Sequence, residues 1–199
     1  MLEPGQSLFA GCIPDAFMDG ARSKRVHTCD LMKNNSLAIY NTIATAEGAI
    51  CEAISKSPEN LHHSNCAVLG YGRCGRTLAN YLKGMFCNVY VCSNSEDEQA
   101  LAGTVCNRTG DLTSFCTCAG EFDFIFNTIP AQVLTEEILV KMKPTVTIID
   151  IASTPGGVDY EAATRLELGV FHCLGLPGKY SPASCARAIK NLIESNLKE

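Results

Sequence analysis

The stretch Ala67-Val68-Leu69-Gly70-Tyr71-Gly72-Arg73-Cys74-Gly75 decides how this chain is read. A short apolar run meets three glycines at the spacing GxGxxG, and the residues from Cys74 to Lys83 carry a helical pattern. Strand, glycine turn and helix in that order make a dinucleotide fingerprint, which the glycines alone would not. Gly70 permits the tight turn, Gly72 lets the backbone approach a pyrophosphate, and Gly75 lets the helix pack close on the strand. The helix N-terminus offers unpaired N–H groups and the positive end of its dipole to phosphate. Gly70, Tyr71, Gly72, Arg73, Cys74 and Gly75 are therefore the first expected cofactor-binding residues.

Working outward, short apolar runs alternate with helical ones. Strands are predicted at Asn65 to Leu69, Asn88 to Cys92, Thr104 to Cys106, Phe122 to Phe126, Thr145 to Ile151 and Gly169 to Leu174. Helices are predicted at Glu96 to Ala102, Leu112 to Cys118, Thr135 to Met142, Tyr160 to Leu166 and Ser184 to Leu197. Six strands apolar on both faces, separated by helices, predict an α/β, doubly wound parallel sheet. Upstream, Ile43, Ala46, Ala49, Ile50, Ala53 and Ile54 recur at helical spacing, from a cap at Asn41 or Thr42 to Pro58. Before that helix lie two strand-like fragments, Ser7 to Ala10 and Leu37 to Tyr40, with a polar, weakly helical stretch between them. Forty such residues cannot bury a core alone.

Composition limits the function classes. The chain has 199 residues, a little over one domain at about 150 residues each. Its 46% hydrophobic and 19% charged residues argue against disorder. A formal charge of −5 and no basic block argue against nucleic acid as a partner. No run approaches a membrane span, and Met1 to Gly5 lack the marks of a signal peptide, so no membrane role is expected. The twelve cysteines form no CxxC pair and read as small core residues of a reducing compartment. Only Cys116 and Cys118 are spaced closely enough to suggest zinc, so no metal site is expected.

The second strand of the nucleotide fold selects the cofactor. NAD enzymes commonly place Asp or Glu there for the ribose hydroxyls. Here the strand runs into Ser93, Asn94 and Ser95, and Glu96 is the first carboxylate read. Three neutral donors, with Arg73 nearby, favour NADP, and NAD through Glu96 is the alternative. Ligands of such folds lie beyond the carboxyl ends of the strands. That places Asn127, Thr128, Ile129 and Pro130, and then Asp150, Ala152, Ser153, Gly156 and Gly157, beside a nicotinamide and its substrate. The loop Gly175 to Pro182 suits a binding loop, with Gly178 and with Lys179 either meeting a substrate carboxylate or standing as a solvated charge. His172 reads as a core residue, and His62 and His63 as solvated.

Five segments together resemble the dipicolinate synthase A-subunit family: residues 41–50 (NTIATAEGAI), 68–75 (VLGYGRCG), 127–131 (NTIPA), 149–160 (IDIASTPGGVDY) and 175–179 (GLPGK). Phe86-Cys87 and Cys185-Ala186 depart from small pairs usual in that family, at packing positions. The resemblance implies a two-domain oxidoreductase whose second domain binds NAD(P). It implies dehydrogenation of a cyclic dihydro- or tetrahydrodipicolinate to pyridine-2,6-dicarboxylate during sporulation, in the mother-cell cytoplasm. It also implies a partner, the flavoprotein-like B-subunit of dipicolinate synthase, and is compatible with a homo-oligomer. By position Thr128 and Asp150 become the expected catalytic residues, joined by Glu47, which either faces the cleft or only anchors its helix, and Thr45, Gly178 and Lys179 become the expected substrate contacts. Residues 1–41 then correspond to the end of the family's first domain, 42–181 to the interdomain helix with the nucleotide-binding domain, and 182–199 to a C-terminal helix packing back. Two readings stay open beside it: a non-catalytic NAD(P)-binding module, and a dehydrogenase of another small carboxylic acid.

Overall fold

The computed structural model describes residues 2–197. They form two compact units, one of the residues up to 41 together with those from 181 on, the other Thr42–Tyr180.

The first unit opens with β1 (Ser7–Ala10), α1 (Asp15–Ser23) and β2 (His27–Asp30). The two strands pair in parallel, Ser7 opposite His27 and Ala10 opposite Asp30. The Asp30 carboxylate accepts the N–H groups of Cys12, Ile13 and Met32 at 2.9–3.1 Å, and so ties the ends of both strands together. Burial acts to raise its pKa, but these three backbone donors hold it below the ordinary value. β2 is a strand that no apolar run announces. The long helix α2 (Asn35–Lys56) begins in this unit and α9 (Pro182–Asn196) ends it. The expected strand fragment Leu37 to Tyr40 is part of α2. Asn34 caps that helix, its side-chain carbonyl accepting from the Leu37 N–H at 2.8 Å, so the cap is not Asn41 or Thr42. Leu37 is buried while Ile39 and Tyr40 are exposed, a pattern that follows the helix period rather than strand alternation.

The second unit holds the sheet. Its elements are β3 (Asn65–Leu69), α3 (Arg73–Gly84), β4 (Asn88–Cys92), α4 (Glu96–Gly103), β5 (Arg108–Gly110), α5 (Leu112–Cys118), β6 (Phe124–Asn127), α6 (Glu136–Leu139), β7 (Thr147–Asp150), α7 (Tyr160–Arg165), β8 (Gly169–His172) and α8 (Leu176–Tyr180). All its pairings are parallel, in the order β5-β4-β3-β6-β7-β8. The chain is therefore an α/β protein with a doubly wound sheet whose strand order reverses between β3 and β6. One face buries Val68, Val91, Phe126 and Ile149, the other Leu69, Cys92, Ile125 and Ile148. Helices cover both faces, which explains strands with no polar alternation.

Three local expectations change. The third strand of this sheet in chain order, β5, is Arg108–Gly110 rather than Thr104 to Cys106; as an edge strand of the sheet it needs no apolar run. The segment Gly175 to Pro182 contains a short helix and is not simply a loop. His172, expected in the core, is exposed at the end of β8. Cys66, Cys87, Cys92 and Cys118 are buried, and none of the twelve cysteines, each among the described residues, forms a disulfide. Cys116 lies 3.0 Å from the Lys141 ammonium.

Candidate functional site

The glycine turn connects β3 to α3 and is fixed from both flanking strands. The Gly70 N–H donates to Cys92 O at 2.8 Å on one side. On the other, the N–H and hydroxyl of Thr128 both donate to Leu69 O at 2.9 Å. Gly70 has φ +91°, and a Cβ there would stand 2.5 Å from the Thr128 hydroxyl. A Cβ on Gly75 would stand 2.1 Å from Gly70 O, so helix and turn touch through bare backbone. Gly72 is different: a Cβ there would meet no atom within 4 Å, and its backbone angles are ordinary. The protein's own packing gives a reason for two of the three glycines, and the third faces open space.

That space is a cavity of about 450 Å³. Gly70, Tyr71, Gly72, Ser93, Asn94, Thr128, Ile129 and Pro130, expected from the sequence, all line it. Leu112, Ala131 and Val133 give it an apolar wall. Gly72 caps α3 without a side chain, leaving the first N–H groups of that helix directed outward. Arg73, exposed, is the first residue of the helix. The Tyr71 ring is buried in the core, so only its backbone serves the turn; Arg76 stacks on that ring and donates to Tyr71 O at 2.8 Å. Burial pushes the thiol of Cys74 up, and that of Cys92, on the cavity wall, up to about 12. Neither is a nucleophile at neutral pH.

At the end of β4 the three neutral residues are largely engaged. Ser93 is buried, and its hydroxyl donates to the Glu98 carboxylate at 2.6 Å. The Ser95 hydroxyl caps α4 by accepting the Glu98 N–H at 3.4 Å. The Asn94 side-chain carbonyl accepts the Leu112 N–H at 3.3 Å. Glu98 itself lines the cavity, a carboxylate set among the groups expected to be neutral. Sequence reading missed it because it sits on the first turn of a helix, past the end of the strand. The signal was present as Ser95-x-x-Glu98, the capping-box pattern.

The residues beyond β6 and β7 are used internally. Asp150 is fully buried and accepts from the Asn127 amide, the Ala152 and Gly157 N–H groups and the Tyr160 hydroxyl. Burial and the bond to Asp150 push the Tyr160 hydroxyl pKa upward. The Ala152 carbonyl is bonded to the His172 ring at 2.9 Å, and Ser153 is exposed. Asp150, Ala152 and Ser153 do not line the cavity; nor do Thr45, Glu47, Gly178 and Lys179. Glu47 is exposed and Thr45 half-buried on α2. Lys179 is ion-paired with Glu52 of α2, a buried carboxylate that also accepts from the Tyr180 hydroxyl at 2.8 Å. These two donors hold the Glu52 pKa below its ordinary range. Among the described residues no group of three or more His, Cys, Asp or Glu side chains is placed to hold a metal. No described helix is long and apolar enough to cross a membrane.

Residues 35–163 match the family described as D-isomer specific 2-hydroxyacid dehydrogenase, NAD binding domain. Over 197 residues the chain is 33% identical to the dipicolinate synthase A-subunit of Bacillus subtilis, covering 96% of this chain and 65% of that protein. It thus spans somewhat less than two thirds of that relative's length. The dipicolinate synthase A-subunit from Bacillus halodurans superposes with a TM-score of 0.89 at 29% identity, over 97% of this chain and 66% of the other. The A chain of dipicolinate synthase from Bacillus subtilis gives 0.88 at 29%, over 96% and 64%. A transhydrogenase from Sinorhizobium meliloti gives 0.74 at 13%, over 96% and 68%, a likeness of fold alone.

Proposed function

Because this chain belongs to the D-isomer specific 2-hydroxyacid dehydrogenase NAD-binding domain family, we propose that it is the cofactor-binding part of a dehydrogenase subunit that makes pyridine-2,6-dicarboxylate from a dihydro- or tetrahydrodipicolinate. The family membership supports a nicotinamide dinucleotide and an oxidoreductase role. The substrate follows the likeness to the A-subunit of dipicolinate synthase over 96% of the chain. The observation that carries the cofactor reading is Gly72: the cavity at the α3 N-terminus leaves unfilled the position its side chain would take.

In this reading the α3 N–H groups and Gly72 hold the pyrophosphate, and Arg73 adds charge. Leu112, Ile129 and Val133 flank the adenine end, and Pro130 and Thr128 border the path toward the nicotinamide. A dinucleotide bound there supplies a hydride acceptor. For a dihydro ring, one hydride and one proton leave and the ring becomes aromatic; a tetrahydro ring loses two of each. Glu98 changes the expected form of the cofactor. A carboxylate suits the diol of an NAD ribose and repels the 2′-phosphate of NADP, so NAD is favoured over the NADP that Ser93, Asn94 and Ser95 suggested.

Glu98, bonded to the Ser93 hydroxyl at the ribose end, is the one carboxylate or amine among the described residues that line the cavity. This favours a division of labour in which the chain brings the cofactor and acid–base groups come from elsewhere in the complete enzyme. The partner is the B-subunit of dipicolinate synthase, the setting is the cytoplasm of a sporulating mother cell, and self-association is open to light scattering. Calorimetric titration with NADH and NADPH tests the cofactor reading; binding is expected, tighter for NADH, and absence of both defeats it. Reduction of NAD⁺ to NADH on addition of dihydrodipicolinate, with the B-subunit present, tests the substrate. Binding without turnover in that assay would leave only the nucleotide-binding module.

A further inference from the structure

Asp150 ends β7 with no exposed surface. Its Oδ1 accepts from the Asn127 side-chain amide at 2.9 Å and from the Ala152 N–H at 3.0 Å. Its Oδ2 accepts from the Gly157 N–H at 2.7 Å and the Tyr160 hydroxyl at 2.6 Å. A carboxylate has about four acceptor sites, and all four are engaged, so none remains for a substrate proton.

The four donors come from separate places: the end of β6, the two ends of the loop after β7, and the first turn of α7. Each passes the constraint on. The Asn127 amide also closes its own turn, donating to Ile129 O at 3.1 Å and accepting the Ile129 N–H at 3.2 Å. The Gly157 carbonyl accepts the N–H groups of Val133 and Leu134 at 3.0 Å. Ile129 and Val133 are walls of the cavity, and Asp150 is not. Close packing leaves these relays little freedom. A Cβ on Gly157 would stand 2.2 Å from the Asn127 amide nitrogen, and one on Gly156, at φ +93°, would stand 2.8 Å from Asp150 Oδ2.

We infer that Asp150 is a positioning residue, whose carboxyl group holds the Ile129–Val133 wall against the glycine turn through Asn127 and Gly157. The inference rests on the reading of the cavity as a dinucleotide site, and it replaces the catalytic role expected for Asp150. A mobile wall would have to be ordered by the ligand at each binding event, whereas a fixed one is ordered in advance.

The test compares Asp150→Asn, which keeps shape but sets an amide group against donors, with Tyr160→Phe, which removes one donor and leaves the carboxylate. NADH affinity is measured by fluorescence titration at temperatures where each variant is folded, with amide hydrogen exchange read along the chain. Expected are affinity losses of about tenfold for Asp150→Asn and about threefold for Tyr160→Phe, with faster exchange at residues 129–134 and unchanged exchange in β4. Should Asp150→Asn not fold, Tyr160→Phe alone carries the comparison. Wild-type affinity in the folded variants, or faster exchange spread evenly over the sheet, overturns the inference and leaves Asp150 a stabilising residue only. If the wild-type chain binds no dinucleotide, the cofactor reading fails, and the exchange pattern still decides whether Asp150 orders the wall.

Discussion

The carboxyl ends of β3 and β4 treat polar groups differently from those of β6 and β7. Beyond β3, helix-start N–H groups and Gly72 face open space, and beyond β4 Glu98, held on one oxygen by the Ser93 hydroxyl, lines the same cavity. Beyond β7, Asp150, Tyr160 and the Gly157 N–H satisfy one another, and Asn127 at the end of β6 joins them with no room left over. Both ends are polar, so polarity alone does not mark a binding site. What marks it is hydrogen-bonding capacity that the protein leaves unspent.

The contrast can be broken most severely at Gly75. Gly75→Val should destabilise the protein by about 3 kcal/mol or more, because its first side-chain carbon falls on Gly70 O, with denaturant unfolding as the measurement. A stability within ~0.5 kcal/mol of wild type would show that the turn yields easily. Gly72→Ala should do the reverse: unfolding stays within about 0.5 kcal/mol of wild type while NADH affinity falls at least about tenfold. Equal affinity in that variant would mean that the open position is not where the ligand passes.

Smaller effects sharpen the picture. Glu98→Gln removes the charge and keeps the shape, so the preference for NADH over NADPH should shrink by about tenfold, most at low salt. An unchanged ratio would detach Glu98 from the ribose. The smallest effect expected concerns acid stability. The Lys179 and Tyr180 hydrogen bonds depress the Glu52 pKa below 4.5, so its contribution is present above that value and is lost as pH falls through the lowered one. Glu52→Gln should flatten the loss of stability below pH about 4.5, and urea midpoints at a series of acidic pH values would reveal it. An identical acid limb in the variant would remove Glu52 from the account.

Much of the second unit was legible, because buried parallel strands must be apolar throughout and a glycine turn has few uses between a strand and a helix. β5 was not, since Arg108, Thr109 and Gly110 form an edge strand specified by pairing with β4 rather than by burial. β2, with His27, Thr28, Cys29 and Asp30, is set by its partner strand and the Asp30 bonds. Within the site, residues near the glycine turn in sequence could be placed, whereas those joined by folding could not. Glu52 and Lys179 meet across 127 positions, and Asp150 draws its partners from before and after its strand. Glu98 hid in a capping pattern that has an ordinary explanation of its own.

The division of the chain into units has a temporal side. The sheet unit is one unbroken run from Thr42 to Tyr180, while the other draws on residues up to 41 and from 181 on. Contacts between segments so far apart carry a high loop-closure entropy and form late. The sheet can complete its pairings while α9 is still being synthesised, but within the first unit the contacts between its early and late segments must wait for that helix. Pulse-labelled hydrogen exchange during refolding should therefore protect β3, β4 and β6 before α9. The opposite order would mean that α9 gains its protection before the sheet is paired.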